Sequence, residues 1–423
     1  MTTPQQQRQH SGEILARRRR LLAPSYQLFY DRPLEIVRAA GVWMYDRDGR
    51  AYLDAYNNVP VVGHCHPYVV EALARQAATL NTHTRYLSEQ PLQLAEELLA
   101  TMPAALGSVA YTCTGSEAND LAVRVSKAAT GGTGFIVTDY AYHGATDVIA
   151  GMSPEDGGAL GSGVYTVPAP QENEDASAFG ERVGKCIERM RSDGVRLAAL
   201  LVDTIFSSDG VVAQPAGLLA AAARQVHAAG GLLIADEVQP GFGRLGEGMW
   251  GFGRHGVLPD IVTLGKPMGN GHPVAALVAQ SGVLREFARG TRYFNTYGGN
   301  NVSCAVALAV LQVIRNEELV AKARRSGEHL LRGLRALAQR HGVIREVRGA
   351  GLFIGVELGA NPASGLSGSA EAVRVLNGLR DRGVLVGVTG RRGNVLKIRP
   401  PLTLTLEHAD LLLEALDRAL QGG

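Results

Sequence analysis

Lysine is scarce in this chain of 423 residues: Lys127, Lys185, Lys266, Lys322 and Lys397 stand among 42 basic residues, and the rest are arginine. Any search for a catalytic amine is confined to those five positions. Cysteine is scarcer still. Cys65, Cys113, Cys186 and Cys304 lie far apart and form no CxxC pair. That argues against a disulfide framework or a zinc site and for reduced, mostly buried thiols in a cytoplasmic protein. No window approaches the roughly 18 consecutive apolar residues that span a bilayer. The most apolar stretch, Gly217 to Ala235, is broken by Arg224, Gln225 and His227. A net charge of +2 gives no electrostatic reason to expect nucleic acid or a membrane surface as partner. The basic run Arg17 to Arg20 has no apolar segment after it, so it reads as a solvated helix face and not as the start of a signal peptide.

What is present is ordinary globular composition, 46% apolar and 19% charged, in a chain too long for one simple core. Residues 1 to about 30 are polar and weakly patterned. Gly41 to Asp46 and Ala51 to Asp54 then alternate around Asp48-Gly49, which predicts a hairpin. Helical spacing over Val69 to Thr79 and Leu92 to Met102 opens an alternation of helices with short apolar strands. The strands are expected at Ser108 to Cys113, Gly134 to Val137, Leu197 to Val202, Gly231 to Ala235, Asp260 to Leu264 and Val274 to Ala279. Several are continuous apolar runs, as strands covered on both faces require, so the pattern predicts an α/β domain with a mostly parallel sheet. Long helices follow at Asn301 to Glu318 and Leu319 to His341. Strands at Gly351 to Glu357 and Val395 to Ile398, with a Gly/Ser-rich loop over Gly359 to Ser369, make a smaller α+β part.

Ligands of open α/β sheets sit beyond the carboxyl ends of the strands, and three such ends carry polar groups. The first strand runs into Thr114-Gly115-Ser116 and opens a helix. Its free N–H groups and dipole suit a phosphate, although a Ser N-cap with no ligand reads equally well. Asp236 ends an apolar strand, where an unpaired carboxylate is costly; a cationic ring nitrogen or an arginine would compensate it. Lys266, between Gly265 and Pro267 after another apolar strand, is placed to condense with an aldehyde; the bland alternative is a snorkelling surface lysine. Together, a phosphate turn, a strand-end Asp and a strand-end Lys match one cofactor, pyridoxal 5'-phosphate (PLP), which carries a phosphate, a pyridine nitrogen and an aldehyde.

Over roughly residues 35 to 420 the chain resembles the class III aminotransferases of the fold-type I PLP enzymes. The resemblance rests on Gly115-Ser-Glu-Ala-Asn119, Ala141-Tyr-His-Gly144, Ala235-Asp-Glu-Val-Gln239, Gly265-Lys266 and Asn295-Thr-Tyr-Gly-Gly-Asn300. It implies a large domain at 71–302 with a seven-stranded, mostly parallel sheet. A smaller α+β domain at 303–423 would be joined by the N-terminal segment 1–70. Gly115 and Ser116 would bind phosphate, Tyr142 would stack on the ring with His143 close by, and Asp236 would pair with the ring nitrogen. Val238 would pack on the opposite ring face, Gln239 would lie near the ring hydroxyl, and Lys266 would carry the cofactor. Thr296 would reach the phosphate of a neighbouring subunit, implying a homodimer with shared active sites, or a tetramer of two such dimers.

Both amino transfer and elimination begin with loss of the same proton. Transfer, the commoner activity of the class, is expected first, with phosphate elimination from a phosphorylated amino alcohol as the alternative. The stretches Gly265 to Val274, Tyr293 to Gly299, Asn394 to Pro401 and Asn57 to Pro67 resemble the ethanolamine-phosphate phospho-lyases and, more broadly, the alanine–glyoxylate aminotransferase 2 branch. Lys397 stands where many transaminases place an Arg that grips an α-carboxylate, and Lys offers no planar fork. Asp203 is expected to pair with Lys397. Arg391 and Arg392 are either an anion grip or a solvated turn. Loops around Tyr86, Phe206 and Arg391 are expected to shape the substrate pocket.

Three other readings are set aside. Gly241-Phe-Gly243-Arg-Leu-Gly246 has the spacing of a dinucleotide loop but no helix pattern after it. His64-Cys65-His66 lacks further ligands for a metal and reads as a turn before a helix near Pro67. A binding module without catalysis would have lost the lysine at position 266.

Overall fold

The computed structural model describes residues 4–421; of the expected segments 1–70 and 303–423, residues 1–3, 422 and 423 lie outside it. The first strands, β1 (Ile36–Ala40), β2 (Trp43–Asp46) and β3 (Ala51–Asp54), form an antiparallel meander whose β2–β3 turn is the expected hairpin. Seven strands then build the central sheet: β4 (Leu106–Thr112), β5 (Gly134–Thr138), β6 (Val164–Val167), β7 (Leu197–Asp203), β8 (Leu232–Asp236), β9 (Ile261–Leu264) and β10 (Ala275–Gln280). Their order is β4-β10-β9-β8-β7-β5-β6. Only β10 runs against its neighbours among these strands.

The central strands are apolar on both faces because both faces are covered. Along β7, Leu200 and Val202 join the cluster formed with helices Ala176–Ser192 and Leu218–Ala228, while Ala199 and Leu201 join the cluster on helix Gly115–Thr130. That is the two-residue period of a strand read in burial. Each fully buried Leu or Val contributes about 1.5–3 kcal/mol relative to exposure.

The smaller α+β region contains β11 (Ile344–Ala350), β12 (Phe353–Leu358), β13 (Val384–Leu385), β14 (Gly387–Thr389) and β15 (Val395–Ile398). Four of these form a sheet ordered β11-β12-β15-β14, whereas β13 leaves it to pair in parallel with β3. The beginning and the end of the chain therefore share one sheet.

Several elements lie outside the sequence expectation, strands β1, β11, β13 and β14 among them. Helix Pro4–Leu21 occupies the segment that reads as weakly patterned, and Arg17, Arg19 and Arg20 are exposed on it. Strand β6 is four residues of Val-Tyr-Thr-Val, too short and mixed to stand out. The loop expected through Ser369 ends earlier, because Ser367 caps the helix Gly368–Asp381 by accepting the Ala370 N–H at 3.3 Å. No described helix is long and apolar enough to cross a membrane.

Candidate active site

Strands β7, β8 and β9 are parallel neighbours, and their register places Asp203 beside Asp236 and Asp236 beside Thr263. Lys266 follows three residues later, at φ +32°, in a short 3-10 turn. The sheet thus delivers two carboxylates and an amine to one edge. They line a cavity of about 310 Å³ together with Ser116, Tyr142, His143 and Gln239.

The phosphate end is built by a helix start. Thr114, and not Ser116, is the N-cap: its hydroxyl accepts the Glu117 N–H at 3.2 Å, and Glu117 Oε2 accepts the N–H groups of Thr114 and Cys113 at 3.2 and 2.6 Å. This reciprocal box leaves the N–H groups of Gly115 and Ser116, the first two of the helix, without intrahelical partners. Ser116 Oγ accepts the Ala145 N–H at 3.0 Å, so its own proton remains to be donated. A Cβ on Gly115 would come within 3.0 Å of both Val238 methyl carbons, and one on Gly144, at φ +141°, within 2.4 Å of Ser116 Oγ. A side chain at position 144 would clash with the cradle, and one at position 115 would press on Val238.

Asp236 is buried, and its charge is answered by polar neighbours. Oδ2 accepts from Asn119 Nδ2 at 3.0 Å and lies 2.7 Å from His143 Nδ1, while Oδ1 accepts the Val238 N–H at 3.0 Å. The arginine alternative is overturned: the ion-pair partner is His143. Asn119 also donates to the His143 carbonyl at 2.8 Å. His143 Nε2 and Asn119 Oδ1 remain buried without partners, so His143 is not a satisfied core histidine. Asn119 carries no role in the sequence reading, although it lies one helical turn after Gly115 and on the same face.

Lys266 is partly buried and not a snorkelling surface residue. Burial lowers its affinity for a proton, with Asp236 acting in the opposite direction. Its Nζ stands 6.0 Å from the centre of the Tyr142 ring, so amine and aromatic face bound the cavity from two sides. Val238 is buried at the wall, and Gln239 is held between Ser207 and Arg399. The neighbouring Glu237 turns away into the protein. Its carboxylate accepts from Thr204 Oγ1 and from the N–H groups of Gly251 and Phe252 at 2.7–2.9 Å, and burial pushes its pKa up to about 7.

The expected substrate residues divide. Asp203 lines the cavity, but its oxygens accept the N–H groups of Ile205 and Ser207 at 2.9 and 3.1 Å. No ion pair joins it to Lys397, which corrects the expected Asp203–Lys397 pair; each merely feels the other's charge. The Lys397 side chain is buried behind the cavity and is not among the residues lining it; it has no ion-pair or hydrogen-bond partner among the described residues, and burial pushes its pKa down to about 7. Arg391 and Arg392 are exposed and line a second groove of about 560 Å³, not the cavity; Arg391 pairs with Asp139 at 3.0 Å. Phe206 is fully buried against Phe179 and Tyr86 is exposed, so neither lines the cavity. Thr296 is exposed, outside the cavity, beside the exposed rings of Phe294 and Tyr297.

Turns and a 3-10 helix follow Gly246. His64 and His66 meet different carboxylates, Asp54 at 2.7 Å and Glu317 at 3.0 Å, ahead of the helix Pro67–Ala77. The four cysteines are free, but Cys186 and Cys304 alone are buried, while Cys65 is exposed.

These residues fit PLP group by group: free N–H donors for the phosphate, a polar-supported carboxylate for the ring nitrogen, and a deprotonation-prone amine for the aldehyde. Comparison with known proteins agrees. The family model described as Aminotransferase class-III matches residues 27–420. A Drosophila melanogaster protein named alanine–glyoxylate aminotransferase 2-like is 39% identical over 95% of this chain and 85% of its own length. A Caenorhabditis elegans protein named ethanolamine-phosphate phospho-lyase homolog 1 is 36% identical over 96% of this chain and 93% of its own. Among solved structures, a phospholyase from Arthrobacter in complex with phosphoethanolamine is 41% identical with a TM-score of 0.92, covering 97% of this chain and 100% of that one. An (S)-enantioselective omega-transaminase from Thermomicrobium roseum is 28% identical with a TM-score of 0.86, covering 97% and 98%. The chain belongs to the class III aminotransferase family of fold-type I, PLP-dependent enzymes.

Proposed function

We propose that this enzyme eliminates phosphate from O-phosphoethanolamine or a related phosphorylated amino alcohol. The observation that carries the reading is Lys397: a buried ammonium with no carboxylate to spend itself on, where gripping an α-carboxylate calls for an arginine fork. A compact point charge suits a phosphate oxygen. The likeness to the Arthrobacter phospholyase supports the same reading at higher identity than the likeness to the omega-transaminase. Amino transfer, placed first on sequence, remains the second reading, favoured by the name of the Drosophila relative.

When bound, PLP supplies an aldehyde for the substrate amine and a ring that draws electrons from the carbon bearing it. Gly115 and Ser116 hold its phosphate. Asp236, steadied by His143 and Asn119, keeps a proton on the ring nitrogen, and Tyr142 and Val238 confine the ring. Lys266 Nζ takes the proton from the substrate carbon. Lys397, when protonated, lends its positive charge to the field in which the phosphate departs.

The proposal extends to a homodimer in which Thr296 serves a second copy's phosphate site, supported by the exposed apolar side chains around it. It extends also to a cytoplasmic setting, supported by the free thiols.

The test is a panel with purified holoenzyme. Phosphate release from O-phosphoethanolamine, with no conversion of the visible band to the pyridoxamine form, is the expected result. Conversion by an amine donor without acceptor, and no phosphate released, would establish transfer instead.

A further inference from the structure

Two cations sit at the end of strand β15. Lys397 lies in the strand and Arg399 one residue past it; both are buried, and both head groups stand beside the Phe353 ring. Arg399 is not an idle neighbour. Its Nη1 donates to Gln239 Oε1, and its guanidinium carbon lies 5.0 Å from the centre of the Tyr56 ring and 5.9 Å from that of Phe353. Gln239 is itself buried and lines the cavity, and its Nε2 donates to Ser207 Oγ at 2.8 Å.

The two partners of this amide differ in what they allow. A serine hydroxyl donates or accepts, so Ser207 accepts either end of the amide equally well. A guanidinium has five N–H groups and no acceptor, so the amide atom facing it must be the oxygen. Arg399 alone therefore decides which way round Gln239 sits. With Oε1 against Arg399 and one Nε2 proton on Ser207, the second Nε2 proton is left for the cavity.

We propose that Arg399 is a positioning residue that acts through Gln239, locking its amide so that an N–H is available toward the ring hydroxyl of the cofactor. Resting on the cofactor assignment and not on which reaction follows, the inference stands apart from the choice between elimination and transfer. Without Arg399 the amide is free to reverse and present its oxygen, a lone pair against the electron-rich ring oxygen.

The groups that share this surrounding are Lys397, Lys266 and Arg244 among the cations, and Asp54, Glu155 and Tyr56 opposite them. Arg399 therefore also acts on Lys266 directly through its field, and the test must separate the two effects. A double-mutant cycle does so. The visible absorbance of substrate-free holoenzyme is titrated with pH for wild type, Arg399→Met, Gln239→Leu and the double variant. The expected result is a midpoint shift of about half a unit or more in Arg399→Met, and a clearly smaller shift when the same change is made in Gln239→Leu. Arg399→Lys, also a pure donor, is expected to restore most of the wild-type midpoint, and it serves as the readout if Arg399→Met does not fold. Equal shifts in both backgrounds would show that Arg399 contributes only a field, and an unchanged midpoint would remove it from the site altogether. Loss of phosphate release with these spectra as expected would count against the proposed reaction and leave the positioning role intact.

Discussion

Burial shifts Lys266 toward the neutral form that a base requires. Its proton is held less tightly than that of an exposed lysine, because burial disfavours the ammonium. Lys266→Ala is expected to slow phosphate release by about a hundredfold or more, and borohydride should no longer fix the cofactor to the protein; labelling of another lysine would overturn the assignment. Lys397 shows the cost of the same device. Its pKa falls from 10.5 to about 7, so between those values the unfolded chain binds more protons than the folded one. Stability then rises with pH across that window, and below it the buried charge weighs on the folded state in full. Lys397→Met should therefore melt higher than wild type at pH 6, with the gap narrowing toward pH 10, while kcat/KM for O-phosphoethanolamine falls by about a hundredfold. A melting difference independent of pH would mean that Lys397 is not the strained group.

At the level of elements, strand ends and one helix start make the site. The Thr114–Glu117 box is worth about 1 kcal/mol, and Thr114→Ala should lower the melting temperature and weaken cofactor retention together, as measured by equilibrium dialysis. If only stability moved, the cap would be serving the helix and not the phosphate. These ends were legible beforehand because each follows an apolar run: Asp236 after Leu232 to Ala235, and Lys266 after Ile261 to Leu264. What escaped the sequence depended on how separate elements meet. Nothing local tells that Arg391 faces a groove of its own; the turn in which Asp203 accepts the Ile205 and Ser207 N–H groups is, by contrast, a local one that Asp favours. Arg399 carried a usable signal, since it stands two residues after Lys397 at the end of an apolar strand. Strand β6 and helix Pro4–Leu21 offered none, being short or polar throughout.

At the scale of the whole molecule, exposed aromatic and aliphatic side chains cluster in sequence near Thr296, at Tyr86 and Leu87, and in the first forty residues: Tyr297 is 70% exposed, Tyr86 66% and Phe29 65%. Surfaces of that kind call for a partner. Tyr297→Asp is expected to give a monomer by sedimentation, with cofactor retention reduced about tenfold or more; a monomeric variant retaining full cofactor would remove Thr296 from the shared site. The pairing of β3 with β13 also governs how the chain is made. Residues 51–54 leave the ribosome long before 384–385 exist to zip alongside them, so the newborn meander waits with a bare edge while the central sheet assembles. Such edges recruit strangers. A ribosome stalled before position 384 should accordingly hold a sticky nascent chain, and synthesis slowed late in the message should give more aggregate than the same delay placed early.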